Sequence, residues 1–276
     1  MTTVALPIPK HSSADDAARP AAARLKRLSV LMPVYNERTL LEKIVRRVLD
    51  VELPLELELV AVDDGSTDGS WEVLQQLAAG EARIRAIRLD RNRGKGTAVR
   101  EAIERMTGDV AVIQDADLEY DPSDFGQLLE PIVAGRADAV FGSRYAAATK
   151  PSRWHWHTWV NRSLTFLSNR VTGLRLSDME TCYKMVRADV LLRLRLTSRT
   201  FTLEPELACR LARFGARIEE VPVSYQRRTW AEGKKIGPLD GLKAVWAIAR
   251  CGLIDRRHLR LDADARVKIA EESRLL

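Results

Sequence analysis

Residues 28–70 read LSVLMPVYNERTLLEKIVRRVLDVELPLELELVAVDDGSTDGS, and the order of their apolar runs decides the fold class. Leu28–Val34 is short and nearly unbroken, as in a strand covered on both faces. Leu40, Leu41, Ile44, Val45 and Val48 then recur at the spacing that gives a helix one buried face. A second run, Leu57–Val62, stops at Asp63-Asp64-Gly65, where acids and a glycine favour a turn. Strand, helix and strand in that order imply a right-handed crossover and parallel pairing.

The alternation continues downstream. A helix over about 67–79 leads to Ile84–Leu89, a helix over about 95–106 to Val110–Ile113, and a helix over about 123–133 to Ala137–Phe141. Five strands joined by helices predict an α/β fold, a Rossmann-like, mainly parallel sheet with helices on both faces in a single domain. In such sheets ligands bind outside the carboxyl ends of the strands. Polar residues gather at those ends: Tyr35, Asn36 and Glu37, then Asp63 and Asp64, then Asp115 and Asp117, then Arg144.

The chain of 276 residues, 46% hydrophobic and 30% charged, is long enough for one enzyme-sized core. Residues 1–26 lack a strand or helix period and read as a disordered leader; 27–236 form the sheet domain, and 237–276 an amphipathic helical extension. A formal net charge of +6 favours anionic partners without selecting one. No basic and aromatic interleaving or DNA-binding spacing occurs, which excludes nucleic acid. Lys243 and Arg250 interrupt the longest late apolar stretch, so no segment is expected to span a bilayer. Cys182, Cys209 and Cys251 are odd in number and far apart, a pattern of unpaired thiols rather than a disulfide framework or zinc site. A reducing compartment fits that pattern, and because Asp15 and Asp16 interrupt the N-terminal stretch no cleaved signal peptide is expected, which makes the cytoplasm the expected location.

The chemistry concentrates in Gln114-Asp115-Ala116-Asp117-Leu118-Glu119, directly after a buried strand. Carboxylates alternating at a strand end suit a hard divalent cation, Mg2+ or Mn2+, which takes oxygen ligands and keeps substrate phosphates. Capping of the next helix would use the same residues. Asp63-Asp64 can likewise cap, but one cap needs one acceptor and leaves a second carboxylate for a base or ribose. Arg93-Gly94-Lys95-Gly96 opens a helix with glycines and cations, a combination that binds phosphate at a helix N-terminus.

Two late segments are amphipathic. Apolar residues at 156, 160, 164, 167, 171 and 174 trace a stripe expected to pack as core, with Trp154 and Trp159 beside it. Leu242, Val245, Trp246, Ala249 and Leu253 line one face of a second helix, flanked by Lys234, Lys235, Lys243, Arg250, Arg256 and Arg257. That face fits either a helix closing the domain or peripheral contact with an anionic membrane at its inner face.

Ser29–Glu37, Val62–Asp68, Arg93–Gly96 and Asp115–Asp117 together resemble the family 2 glycosyltransferases of the GT-A fold. Asp115–Glu119, Gly142–Tyr145 and Asp178–Lys184 make the chain more similar to the dolichyl- and polyprenyl-phosphate sugar synthases. That resemblance implies that Pro33, Tyr35 and Glu37 border the base and ribose, with Asp63 or Asp64 bonding to them. It implies a metal held by Asp117 and Glu119 with Asp115 beside it and the sugar. Arg144 and Arg162 would meet the acceptor phosphate, and Arg228 and Lys235 the donor pyrophosphate. The implied reaction is inverting, metal-dependent transfer of a hexose from a nucleotide diphosphate sugar, of GDP-mannose or UDP-glucose type, to a polyprenyl phosphate. A hydroxyl acceptor would instead require a base, for which Asp178 is the candidate. A non-catalytic nucleotide-sugar-binding protein is the other open reading. Many members of this group have Gln where Glu119 stands and Ser-Gly-Phe where Glu180–Tyr183 stand.

Overall fold

A computed structural model describes residues 25–146, 156–228 and 238–253. The first five strands are β1 (Arg27–Val34), β2 (Glu56–Asp63), β3 (Ile84–Arg88), β4 (Val110–Ile113) and β5 (Ala139–Ser143). Between them run α1 (Arg38–Leu49), α2 (Ser70–Gly80), α3 (Lys95–Arg105) and α4 (Phe125–Val133), the last preceded by a 3-10 turn at Pro122–Asp124. The strand and helix alternation expected from the apolar periods is therefore present, with ends shifted by a few residues. Helix α2 starts at Ser70 rather than near residue 67. Asp68 accepts hydrogen bonds from the Ser70 N–H and hydroxyl, and Gly69 takes a left-handed φ of 95° just before the helix.

Two strands were not legible in the sequence: β6 (Lys184–Arg187) and β7 (Ile218–Pro222) complete a seven-stranded sheet of order β3-β2-β1-β4-β6-β5-β7. Strand β6 runs antiparallel to both β4 and β5, while the other pairs are parallel. It is four residues long and carries a buried lysine, Lys184, so its apolar run is too short and too polar to stand out. The core lies on both faces of the sheet, from Leu28, Val30, Leu31 and Met32 in β1 to Leu41, Ile44, Val45 and Val48 of α1 and Leu203, Leu207 and Leu211 of α7 (Leu203–Phe214). A short α6 (Ala188–Leu191) follows β6.

The amphipathic segments form α5 (Trp156–Thr172) and α8 (Pro238–Leu253), which pack on each other and on α7. Their faces differ from the expectation. On α5 the buried side is Leu164, Thr165 and Ser168, whereas Val160 and Val171 are each 37% exposed. On α8 the buried positions are Ala244, Ile248 and Cys251, and the apolar face read from the sequence looks outward, with Leu242 68% and Trp246 61% exposed. A helix with small or aliphatic residues on two sides satisfies either orientation, and packing against α7 selected the less bulky side. That same packing corrects the cysteine expectation: Cys209 on α7 and Cys251 on α8 form a disulfide across 42 residues, with their Cα atoms 6.4 Å apart. Cys182 is the free, buried thiol. Among the described residues no helix is long and apolar enough to cross a membrane. Trp154, Lys234, Lys235, Arg256, Arg257 and all but the last two residues of the leader lie outside the described residues.

Candidate active site

The carboxyl ends of β1, β2 and β4 bring the acidic motifs to one crevice. The loops after β1 and β2 are tied together before any ligand is considered: the Asn36 N–H donates to Ser66 Oγ at 2.9 Å, and Asn36 Oδ1 accepts from the Thr67 N–H at 2.9 Å. Asn36 sits at φ 50°, a left-handed position that asparagine tolerates. Glu37 N–H donates to Ser70 Oγ at 2.9 Å, which fixes the start of α1 against the start of α2. Pro33 and Tyr35 lie partly buried on either side of Val34 at the end of β1.

The two adjacent aspartates separate in role. Asp64 is spent on backbone, its two oxygens accepting from the Arg93 and Gly94 N–H groups at 2.7 Å each. Burial raises its pKa, and those two hydrogen bonds oppose the rise. Asp63 is fully buried; Oδ2 accepts from the Ser66 N–H at 3.1 Å and faces Arg88 Nε at 3.6 Å, but Oδ1 has no hydrogen-bond partner among the described residues. An orphaned buried acceptor is costly unless something donates to it.

After β4, Asp115 Oδ1 lies 2.8 Å from Lys95 Nζ, at the first residue of α3. Burial works against ionisation of Asp115, but Lys95 overcomes it and holds the carboxyl below its usual range. Asp117 has no such full partner. Burial, then Asp115 and Glu119, push its pKa up to about 7, against one backbone hydrogen bond from Glu119 and Arg228 at 3.7 Å. Glu119 is already engaged, its Oε1 accepting from the Arg228 N–H at 2.8 Å and its Oε2 from the Tyr225 hydroxyl at 3.2 Å. Among the described residues, no three acidic, histidine or cysteine side chains are placed to hold a metal ion together. The expected trio Asp115, Asp117 and Glu119 is thus not assembled as one ligand set, because Lys95 holds the first and the strap at 225–228 holds the third.

That strap crosses the site from the far side of the sheet. Arg228 makes a two-pronged ion pair with Glu37, at 2.7 and 3.0 Å, and so links the end of β1 to the segment after β7. Arg144, after β5, is 11% exposed and forms its own pair with fully buried Asp178: Nε to Oδ2 at 2.6 Å, Nη2 to Oδ1 at 2.7 Å, and its N–H to Oδ2 at 3.1 Å. Its guanidinium also lies 5.1 Å from the Tyr225 ring and 5.7 Å from that of Tyr145. Arg162 on α5 stacks over the other part of this group, 5.4 Å from the Tyr145 ring. The structure therefore links Glu37, Asp117, Glu119 and Arg228 in one group and Arg144, Asp178 and Arg162 in another around Tyr145 and Tyr225, and Lys95, Arg144 and Arg228 each meet a carboxylate.

Glu204 escaped the sequence reading. It sits in the first turn of α7, in phase with Leu207, Ala208 and Leu211, where a charge on an otherwise apolar face is the one signal that could have drawn attention to it. A separate cleft of about 740 Å³, lined by Arg27, Glu56, Glu58, Arg83 and Arg85, lies at the strands' amino ends and away from these groups.

Known proteins resemble this chain in sequence and in fold. Residues 29–195 match the sequence profile of Glycosyl transferase family 2. The chain is 28% identical over 236 residues to a dolichol-phosphate mannosyltransferase of Pyrococcus furiosus, covering 83% of this chain and 66% of that one. It is 31% identical over 215 residues to an undecaprenyl-phosphate 4-deoxy-4-formamido-L-arabinose transferase of Pseudomonas fluorescens, covering 75% and 59%. The chain thus spans less than two thirds of the length of either relative. Among solved structures, glucosyl-3-phosphoglycerate synthase from Mycobacterium tuberculosis, in complex with Mn2+, uridine diphosphate and phosphoglyceric acid, superposes with a TM-score of 0.62 at 19% identity, over 84% of this chain and 80% of that one. At that identity the likeness is one of fold.

Proposed function

We propose that this chain, which belongs to Glycosyl transferase family 2, moves a hexose from a nucleotide diphosphate sugar to a polyprenyl phosphate with inversion and with a divalent metal. The observation that carries the reading is the juxtaposition at one set of strand ends of an under-neutralised Asp115–Asp117 pair with the cations Lys95, Arg228 and Arg144. Two anionic substrates can meet only where cations offset their repulsion. The polyprenyl phosphates named in the two relatives support the acceptor.

The donor set fits a metal in a particular way. Mg2+ and Mn2+ need only one or two carboxylates when substrate phosphates and water complete the shell. Asp117, raised to about 7 by burial and by like charges, is the group a divalent cation would relieve most, with Asp115 beside it. When bound, the cation would neutralise charge on the departing nucleoside diphosphate. Asp63 Oδ1 supplies an acceptor for the base or ribose, with Pro33, Tyr35 and Glu37 as the neighbouring wall. Arg228 would exchange part of its pairing with Glu37 for the diphosphate, helped by Lys235.

Bond making is attack of an acceptor phosphate oxygen on the anomeric carbon, while the bond from that carbon to the diphosphate oxygen breaks. A phosphate oxygen is anionic near neutral pH, so no strong base is required. The geometry of Asp178 agrees: both oxygens are taken by Arg144 and the residue is buried, which suits a support for Arg144 and not a base. Arg144 and Arg162 would then face the acceptor. The outward apolar residues of α5 and α8, Trp159, Phe166, Leu242 and Trp246, would rest on the membrane that holds the prenyl tail.

The test is to incubate labelled GDP-mannose and UDP-glucose with a polyprenyl phosphate, with Mg2+ or Mn2+ and with chelator. A metal-dependent glycolipid is expected. No glycolipid with any donor, beside efficient labelling of a soluble hydroxyl acceptor, would overturn the acceptor assignment. Full activity in chelator would overturn the metal.

A further inference from the structure

Behind Asp115 lies a carboxylate that the reaction scheme does not use. Lys95 Nζ stands 2.8 Å from Asp115 Oδ1 and also 2.8 Å from Oε1 of Glu204, 109 residues further along the chain. Both the lysine and Glu204 side chains are nearly buried, at 10% and 7% exposure. One ammonium therefore serves two carboxylates, and the trio keeps a net negative charge.

Glu204 is held at that place by the way its segment docks. The carbonyls of Ser198 and Arg199 press on the two glycines around Lys95: an added Cβ on Gly94 would fall 2.4 Å from the Arg199 oxygen, and one on Gly96 2.5 Å from the Ser198 oxygen. The Thr97 N–H donates to the Arg199 carbonyl at 3.2 Å. Glu206 clamps the other side, accepting from the Thr197 and Ser198 N–H groups at 2.9 and 2.7 Å. The start of α7 is thereby fixed against the start of α3, with Glu204 aimed at Lys95. Glu204 Oε2 has no hydrogen-bond partner among the described residues, so the ion pair with Lys95 is what anchors this carboxylate.

We propose that Glu204 is a positioning residue for the transfer: by sharing the single charge of Lys95 with Asp115 it leaves that carboxylate only partly neutralised, and keeps it aligned and available to the metal and donor. This rests on the glycosyl-transfer reading above. If Glu204 loses its charge, Lys95 has a single counter-charge left and competes with a cation for Asp115. The site also loses one negative charge, so both effects weaken metal binding. Supporting residues of this kind typically contribute 10- to 100-fold to metal affinity or activity.

Glu204→Gln keeps the shape and leaves Lys95 paired with Asp115, so folding is expected to survive. Binding of Mn2+ alone, followed by the electron paramagnetic resonance of free Mn2+, should weaken about 10-fold or more. In the transfer assay kcat should fall by about the same factor while the donor KM moves less than about threefold. Glu204→Asp should recover part of both losses. Added to Lys95→Gln, Glu204→Gln should cost nothing further, since residues acting through one group are non-additive. A thermal midpoint within about 3 °C of wild type would separate positioning from general destabilisation. Mn2+ affinity and kcat within about twofold of wild type, or losses that multiply with those of Lys95→Gln, would overturn the proposal. If wild type transfers no sugar, the glycosyl-transfer reading fails while the Mn2+ comparison still decides the role of Glu204.

Discussion

Replacing Arg144 by alanine should unfold before it informs on catalysis. Asp178 is fully buried and receives three hydrogen bonds from Arg144, at 2.6, 2.7 and 3.1 Å. Removing one partner of a buried pair leaves the other charge without compensation, at a cost of about 3–5 kcal/mol. For a domain of this size each kcal/mol lowers the midpoint by roughly 2–4 °C, so Arg144→Ala should lose about 6–20 °C. The assay is thermal unfolding followed by circular dichroism, with Asp178→Asn and the double variant Arg144→Met/Asp178→Asn in parallel. Each single change should be costly, and the double should recover much of the loss because no unpaired charge remains. A midpoint for Arg144→Ala within about 2 °C of wild type would refute the pairing as a stabilising element. The practical consequence is that Arg144→Lys, which keeps a charge on Asp178 but loses the two-pronged geometry, is the better probe of acceptor binding.

Other expectations follow from the same structure. Asp117, with a pKa of about 7 in the metal-free fold against an ordinary 3.8, binds its proton more tightly folded than unfolded; its contribution to stability is present below the unfolded value and is lost as pH rises toward 7. Thermal midpoints from pH 5 to 8 should show that decline in chelator and not with Mn2+, and Mn2+ affinity should fall roughly 10-fold per pH unit below 7; identical profiles with and without metal would contradict this. Gly65→Ala should lower the urea midpoint by the equivalent of about 2 kcal/mol or more, because Gly65 has φ 69° and a Cβ would lie 2.6 Å from the Arg91 backbone. Thiol titration of the unfolded, unreduced protein should find Cys182 alone reactive, and closing a loop of 42 residues should contribute about 4 kcal/mol on a chain-entropy basis, read as the midpoint shift on reduction. Trp246→Glu should weaken binding to anionic vesicles with little change in midpoint, since the indole is largely exposed.

Much of the sheet was readable in the sequence. Burial on both faces of β1, β2 and β4 demands unbroken apolar runs, and one-sided burial of α1 demands the Leu41, Ile44, Val45 and Val48 spacing; both leave a mark within ten residues. Because strand ends follow from strands, the crevice and its acids at 37, 63–64 and 115–119 were readable as well. Strand β6 left no such mark, being short, antiparallel and carrying Lys184. Neither did the outward turn of Leu242 and Trp246, since α8 is apolar on two sides and its neighbours chose between them.

The charges of the site divide in the same way. Residue type and strand-end position marked Asp115, Asp117 and Arg144 as chemistry, but nothing local says which carboxylate is neutralised and by what. Glu204 reaches Lys95 across 109 residues, Arg228 reaches Glu37 across 191, and Cys251 reaches Cys209 across 42. Periodicity records the burial each residue undergoes within its own element, whereas an ion pair or disulfide depends on the distance between two elements. That distance is set by the order of strands in the sheet and by helix packing, through the summed burial of the whole core, and no short stretch of chain contains it.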